Sequence, residues 1–264
     1  MPSAAFSGAW RFTMLRRFRL AAVRSVLTGS LLSIAASVGA ADLKGTFVLD
    51  GDAPAPVPVT DSKAEGDFPG QKLVFENFVV DPATKGIANI AVYVRTNGVA
   101  VTPEAEKAAP EKVVIDNKTG QFHPHISGLW VGKQKLEFKN SDPAAHNSNF
   151  AHAGANPLLA PNSSVEVQVP APALIPKEVA CNIHPWMKAF IVCRDNPYVA
   201  ATGKDGSFEL KNLPTGTEIE IQIWHEKSGY LAAQPDWDKG RFKITLDGDK
   251  DLGVIKVDPK LFEK

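Results

Sequence analysis

Residues 179–193 read VACNIHPWMKAFIVC and set Cys181, His184 and Met187 three residues apart, just before an apolar run. Each of these side chains is a metal donor. A thiolate with an imidazole suits zinc or copper, and an added thioether favours copper, because zinc gains little from methionine. A trigonal His2Cys set with a weak axial methionine is the arrangement of electron-transfer copper, and it needs one more histidine. His146, in FKNSDPAAHNSNF, is the best candidate, since it follows a strand pattern and a turn-rich loop upstream of Cys181. A competing reading stands beside this one. Both cysteines of the chain, Cys181 and Cys193, lie in the same stretch, and in an oxidising compartment they would simply pair. A disulfide would abolish the metal site and would leave His184 and Met187 unexplained.

Such a set must be positioned by elements far apart in the chain, and the patterning says that these are strands. Short runs rich in Val, Ile, Phe and Thr recur between Gly, Pro, Asn and Asp clusters. They include GTFVL (45–49), NIAVYVRT (89–96), KVVID (112–116), QKLEFKN (134–140) and SVEVQV (164–169). KAFIVC (188–193), SFELKNL (207–213), EIEIQIWH (218–225), RFKITL (241–246) and GVIKV (253–257) continue the series. Several alternate with period two, as Val165, Val167 and Val169 do against Glu166 and Gln168. The pattern predicts an all-β protein of sandwich or barrel type. VTPEAEKAAPEK (101–112) reads as a linker or short helix, and DAPAPVPV (52–59) as extended, exposed chain.

The order His146-Asn147, then Cys181-x2-His184-x2-Met187, then a strand resembles the cupredoxins, the blue-copper proteins of amicyanin and plastocyanin type. The short CNIHPWM loop is similar to the amicyanin form, and Val131, Gly132, Leu136, Phe138, Asn140 and Asp142 match the strand pair before the first ligand. The resemblance covers about 85 residues and implies a Greek-key β-sandwich with one type-1 copper. It implies that His146, Cys181 and His184 are ligands, with Met187 the axial one and the His184 edge near solvent as the exit for electrons. Around them it implies Asn147 and Asn182 tying the two ligand loops together, and Pro185 and Trp186 capping the site as a flat apolar rim. Cys193 would then be a buried free thiol, on one strand face with Ile191 and Ala189. The partners implied are redox proteins, such as a dehydrogenase and a c-type cytochrome.

The flanks resemble a different family, the carboxypeptidase-regulatory-like (transthyretin-like) β-sandwich. LKGTFVLDGDAPAP and GIANIAVYVRT are similar to its opening strands, and Thr202, Asp205, Gly206, Phe208, Leu210, Leu213 and Gly216 match its later motif. Asp205-Gly206 predicts a tight hairpin turn and Pro214-Thr215-Gly216 the next turn. Together these predict a discontinuous second sandwich from 43–105 and 196–264, with the cupredoxin module at 111–195 inserted in it. One extended sandwich with decorations is the alternative.

Residues 1–40 carry five arginines and no acid, then an apolar stretch ending in Val38-Gly39-Ala40. That is the pattern of a secretory signal cleaved near Ala40, too short for a spanning helix, with translation starting at Met1 or Met14. No cysteine follows the cleavage point to take a lipid, so a periplasmic or secreted protein is expected. The remaining 24 basic and 29 acidic residues form no basic footprint for nucleic acid. His123-Pro124-His125 could offer a secondary metal pair, as i and i+2 on a strand share a face, although the proline interrupts it. His152 and His225 read as ordinary side chains. With no Gly-rich phosphate loop, G-x-S-x-G or H-E-x-x-H, and too few histidines for a multicopper cluster, an electron carrier and not an enzyme is expected. An exported carbohydrate- or peptide-binding module and a copper storage or delivery protein are the other readings.

Overall fold

The Val/Ile/Phe runs form strands, and they form them in two separate groups around two separate cores. The computed structural model describes residues 39–263; the expected signal segment lies outside the described residues except at its last two positions. The protein is all-β with several sheets. The only α-helices among the described residues are Ser62–Asp67 and Pro103–Ala108. Thr102 caps the second of these through Ala105 N, so the 101–112 stretch holds a short helix. No helix among the described residues is long and apolar enough to cross a membrane.

In the outer group, Ala40–Leu49 lies between Ser207–Pro214, antiparallel, and Lys250–Val257, parallel. A second sheet runs Val199–Ala201, Ala91–Val94, Glu218–His225 and Gly229–Tyr230, with Arg241–Thr245 also on Glu218–His225. Leu43, Phe47, Val92, Val94, Leu210, Ile219, Ile221 and Ile255 meet between these sheets. The expected Asp205-Gly206 hairpin is corrected here. The turn forms, with Asp205 Oδ1 accepting from Ser207 N at 3.1 Å, but it joins strands of different sheets. Val199–Ala201 pairs with Ala91–Val94, while Ser207–Pro214 pairs with Ala40–Leu49, so the chain crosses the sandwich, with Phe208, Leu210 and Leu213 buried in the core against which Ala200 packs from the other side. Gly206 sits at φ +81°, and a Cβ there would lie 2.1 Å from Phe47 O, so only glycine fits the crossing.

In the inner group, Lys188–Arg194 lies between Lys177–Ala180, antiparallel, and Ile126–Trp130, parallel. Facing it, the strands run Gln121–His123, Lys112–Lys118, Lys135–Asn140 and Ser164–Val167. Residues 189–193 of the Lys188–Arg194 strand are all apolar because both its faces are covered. Ala189, Ile191 and Cys193 enter the inner core with Phe138, Leu136 and Phe150. Phe190 and Val192 pack on Ala91, Tyr93 and Trp224 of the outer group. Arg194, 1% exposed, bonds across the same junction to the carbonyls of Val94 and Arg95 and to Asn97 Oδ1, and within its own group to the Ala173 carbonyl.

Candidate metal centre

The register of Lys177–Ala180 against Lys188–Arg194 leaves residues 181–187 as the hairpin loop. The loop is closed on itself: Cys181 N donates to Met187 O at 3.2 Å, Met187 N to His184 O at 3.0 Å, and His184 N to Cys181 Sγ at 3.4 Å. A second loop meets it. Asn149 and Ala180 exchange backbone hydrogen bonds of 2.9 and 3.1 Å, which brings the His146–Asn147 strand alongside Cys181. Asn147 then ties the loops together, its Oδ1 accepting from Asn182 N at 2.8 Å and Ile183 N at 3.3 Å and lying 3.6 Å from Cys181 Sγ. Asn182 contributes its backbone here; its side chain reaches Asn149 at 3.4 Å.

His146, Cys181 and His184 thus form one buried cluster. Cys181 Sγ is 3.8 Å from His146 Nδ1 and 3.7 Å from His184 Nδ1, and the two Nδ1 atoms are 3.0 Å apart. Each Nε2 faces a carboxylate: Asp142 Oδ2 at 3.1 Å from His146, and Asp67 Oδ2 at 2.9 Å from His184. A carboxylate only accepts, so Nε2 carries a proton on both rings, and whenever a ring is neutral its Nδ1 lone pair faces inward. Two lone pairs and a thiol at these spacings suit a single ion, because nitrogen and sulfur ligands about 2.0 and 2.3 Å from one centre can stand up to about 4.3 Å apart. Met187 is fully buried in the same core as Cys181.

The electrostatics favour a thiolate. Burial pushes the Cys181 thiol up, but the adjoining His146 and His184 rings outweigh it and bring it to about 6. Burial opposes charge on His146, and Asp142 and Cys181 overcome it, holding the ring above its ordinary value. Burial likewise resists ionisation of Asp142, but His146 and the Gly120 and Thr119 amides hold that carboxyl below its usual range. Cys193 behaves oppositely. Burial outweighs the opposing charge of Lys177 and pushes it up to about 12. Both thiols are free, which removes the disulfide reading.

Two expectations change. The His184 edge is not near solvent: His184 is 0% exposed, covered by Asp67 and by the Phe68 ring 5.3 Å away. Nor is Trp186 part of an open rim. It is buried, donates from Nε1 to Gly120 O at 2.9 Å, and packs 5.1 Å from His184 and 6.3 Å from Phe68. Pro185 remains exposed. The cause in both cases is the 59–73 segment. It precedes the inner group in the chain, yet Val59, Ala64, Phe68 and Leu73 pack in the inner core. Sequence reasoning did not single out Asp67 or Phe68, and SKAEGDF carries no motif that marks them. Asp142 stood in the matched strand motif but without a role.

His123 and His125 sit in different surroundings. His123 is exposed, 3.5 Å from Thr119 Oγ1, whereas His125 is buried between Glu76 at 3.6 Å and Glu226 at 3.3 Å. Neither joins a cluster of three metal-binding side chains among the described residues. His152 Nε2 donates to Ala171 O at 2.8 Å, and His225 is buried.

No family model matches the chain, and no curated protein matches it. Among solved structures it is similar to a copper-containing nitrite reductase (NirK) from Thermus scotoductus SA-01, at 21% identity and a TM-score of 0.28, over 32% of this chain and 23% of that one. The chain therefore spans less than a quarter of that reductase. It is also similar to the Cu(I) form of an amicyanin mutant, at 17% identity and a TM-score of 0.29, over 39% of this chain and 98% of that one. A reduced amicyanin mutant aligns at 16% identity and a TM-score of 0.29, over 40% of this chain and 99% of that one.

Proposed function

We propose that the chain is a copper protein that carries single electrons between redox partners. The observation that carries this reading is the convergence of Cys181 Sγ, His146 Nδ1 and His184 Nδ1 in a buried cluster whose two Nε2 atoms are engaged by carboxylates. His146, Cys181 and His184 would hold the ion, with Met187, buried in the same core, as a weak further donor. Bound copper supplies a one-electron Cu(II)/Cu(I) couple. The chain's own contribution is rigidity and exclusion of water. Asn147 locks one ligand loop to the other, Asp142 holds the His146 ring, and Phe68 and Trp186 close the surroundings with apolar surface. Ligands held in this way move little when the charge of the site changes.

In this reading residues 111–195 are the copper module, and 43–105 with 196–264 are the transthyretin-like sandwich that carries it. The protein is exported after cleavage near Ala40, exchanges electrons with other redox proteins, and catalyses no bond chemistry.

The experiment is a visible spectrum of the protein purified without reductant and titrated with Cu(II). An intense blue thiolate-to-copper band at one equivalent, absent in Cys181→Ser with the fold retained by circular dichroism, is the expected result. A colourless protein at full copper occupancy would overturn the assignment.

A further inference from the structure

The Ser62–Asp67 helix is anchored directly on the ligand loops. Asp61 caps it through Lys63 N at 2.9 Å, Lys63 Nζ donates to Ile183 O at 3.0 Å, and Ala64 and Phe68 are buried in the inner core. Phe68 stacks 5.9 Å from His146 and meets His184 edge-on at 5.3 Å. Asp67 Oδ2 closes the arrangement at 2.9 Å from His184 Nε2, although the two residues are 117 apart in the chain.

Two consequences follow from general chemistry. A carboxylate on Nε2 fixes the tautomer and the ring plane and makes the opposite nitrogen a stronger donor. Its negative charge favours the more highly charged state of a bound ion, as it favours any nearby cation. His146 receives the same support from Asp142 within its own loop, so both imidazoles are held alike. The Asp67 side chain is 44% exposed, so solvent screens part of its charge but not its hydrogen bond.

We propose that Asp67 is a positioning residue of the copper centre: from outside the inner module it holds the Nε2 proton of His184, aims the Nδ1 lone pair at the metal, and lowers the reduction potential of the site. This rests on the copper reading above, and the test separates the two. Asp67→Asn removes the charge, Asp67→Ala removes the acceptor as well, and Asp67→Glu returns a carboxylate. Asp61→Ala loosens the same helix while leaving Asp67 in place.

At one fixed pH, the Asn and Ala variants keep the blue band and move the midpoint potential to more positive values, Ala furthest. Asp67→Glu returns it part of the way, and Asp61→Ala leaves it near wild type. In the metal-free protein, nitrogen NMR of His184 shows a protonated Nε2 and a bare Nδ1, and Asp67→Ala mixes the tautomers. A wild-type potential in both the Asn and Ala variants, or an equal shift in Asp61→Ala, overturns the proposal. If the wild type takes copper without a blue band, the copper reading fails. The metal-free tautomer then decides Asp67 alone, and a His184 tautomer unchanged in Asp67→Ala overturns its positioning role.

Discussion

The Nδ1 atoms of His146 and His184 lie 3.0 Å apart, on rings whose Nε2 atoms both face carboxylates. Two lone pairs at that distance repel one another, and a cation between them turns the repulsion into attraction. The folded chain should therefore be stabilised by copper beyond what a surface site would give. With free copper near 1,000 times the dissociation constant the gain is about 4 kcal/mol, or roughly 10 °C in Tm for a chain of this size. Calorimetry with copper and with a chelator checks it, and an unchanged Tm counts against the site.

Asn147 is expected to be costly to truncate. Its Oδ1 takes the Asn182 and Ile183 amides, and its Nδ2 donates to Asn156. Asn147→Ala leaves those amides without an acceptor and should cost about 2–3 kcal/mol in a denaturant titration. Copper should also exchange faster with a chelator, because the two ligand loops are no longer tied.

Arg194 is the polar clamp between the two strand groups. Arg194→Met fills the space but orphans the carbonyls of Val94, Arg95 and Ala173, and a loss on the order of 3–5 kcal/mol is expected from several such groups. Unfolding followed at Trp224 on one side and Trp186 on the other should split into two transitions. A single unshifted transition would falsify the clamp.

The pH dependence of stability should be two-sided. Burial resists charge on His125, but Glu226 and Glu76 outweigh it and raise the ring from 6.5 to about 9. Its contribution is whole below 6.5 and is lost as pH rises through about 9, to a total of about 3 kcal/mol. His225 goes the other way: burial, then the charges of His125 and Lys227, lower it to about 3. The folded ring stays neutral while the unfolded one takes a proton below 6.5, so stability falls as pH drops from 6.5 towards 3. Denaturant midpoints between pH 4 and 10 should show both limbs, and His125→Gln should flatten the alkaline one. An alkaline limb that survives the substitution assigns it to another group.

Much of this molecule could be read from local pattern. Val165 and Val167 alternate with Glu166 because a strand shows successive side chains to opposite faces, and Ala189, Ile191 and Cys193 share a face for the same reason. The Cys181–Met187 loop was legible because its donors lie within one hairpin turn, where spacing alone limits their separation. The Asp205-Gly206 turn was legible as a turn but not as a sheet crossing, since a dipeptide sets the bend and not the strand that follows as a partner.

Distance along the chain sets the boundary between what pattern could decide and what folding had to decide. Which residues are apolar, where the chain turns and which short loop carries a thiol, an imidazole and a thioether are properties of neighbouring residues. The burial of His184 is not. It depends on Asp67 and Phe68, which reach it from 117 and 116 residues away because Ala64 and Phe68 are buried in the inner core. Closing a loop of that length costs only slowly more as the loop grows, so the chain is free to bring a distant helix to the site, and no local signal records that it has.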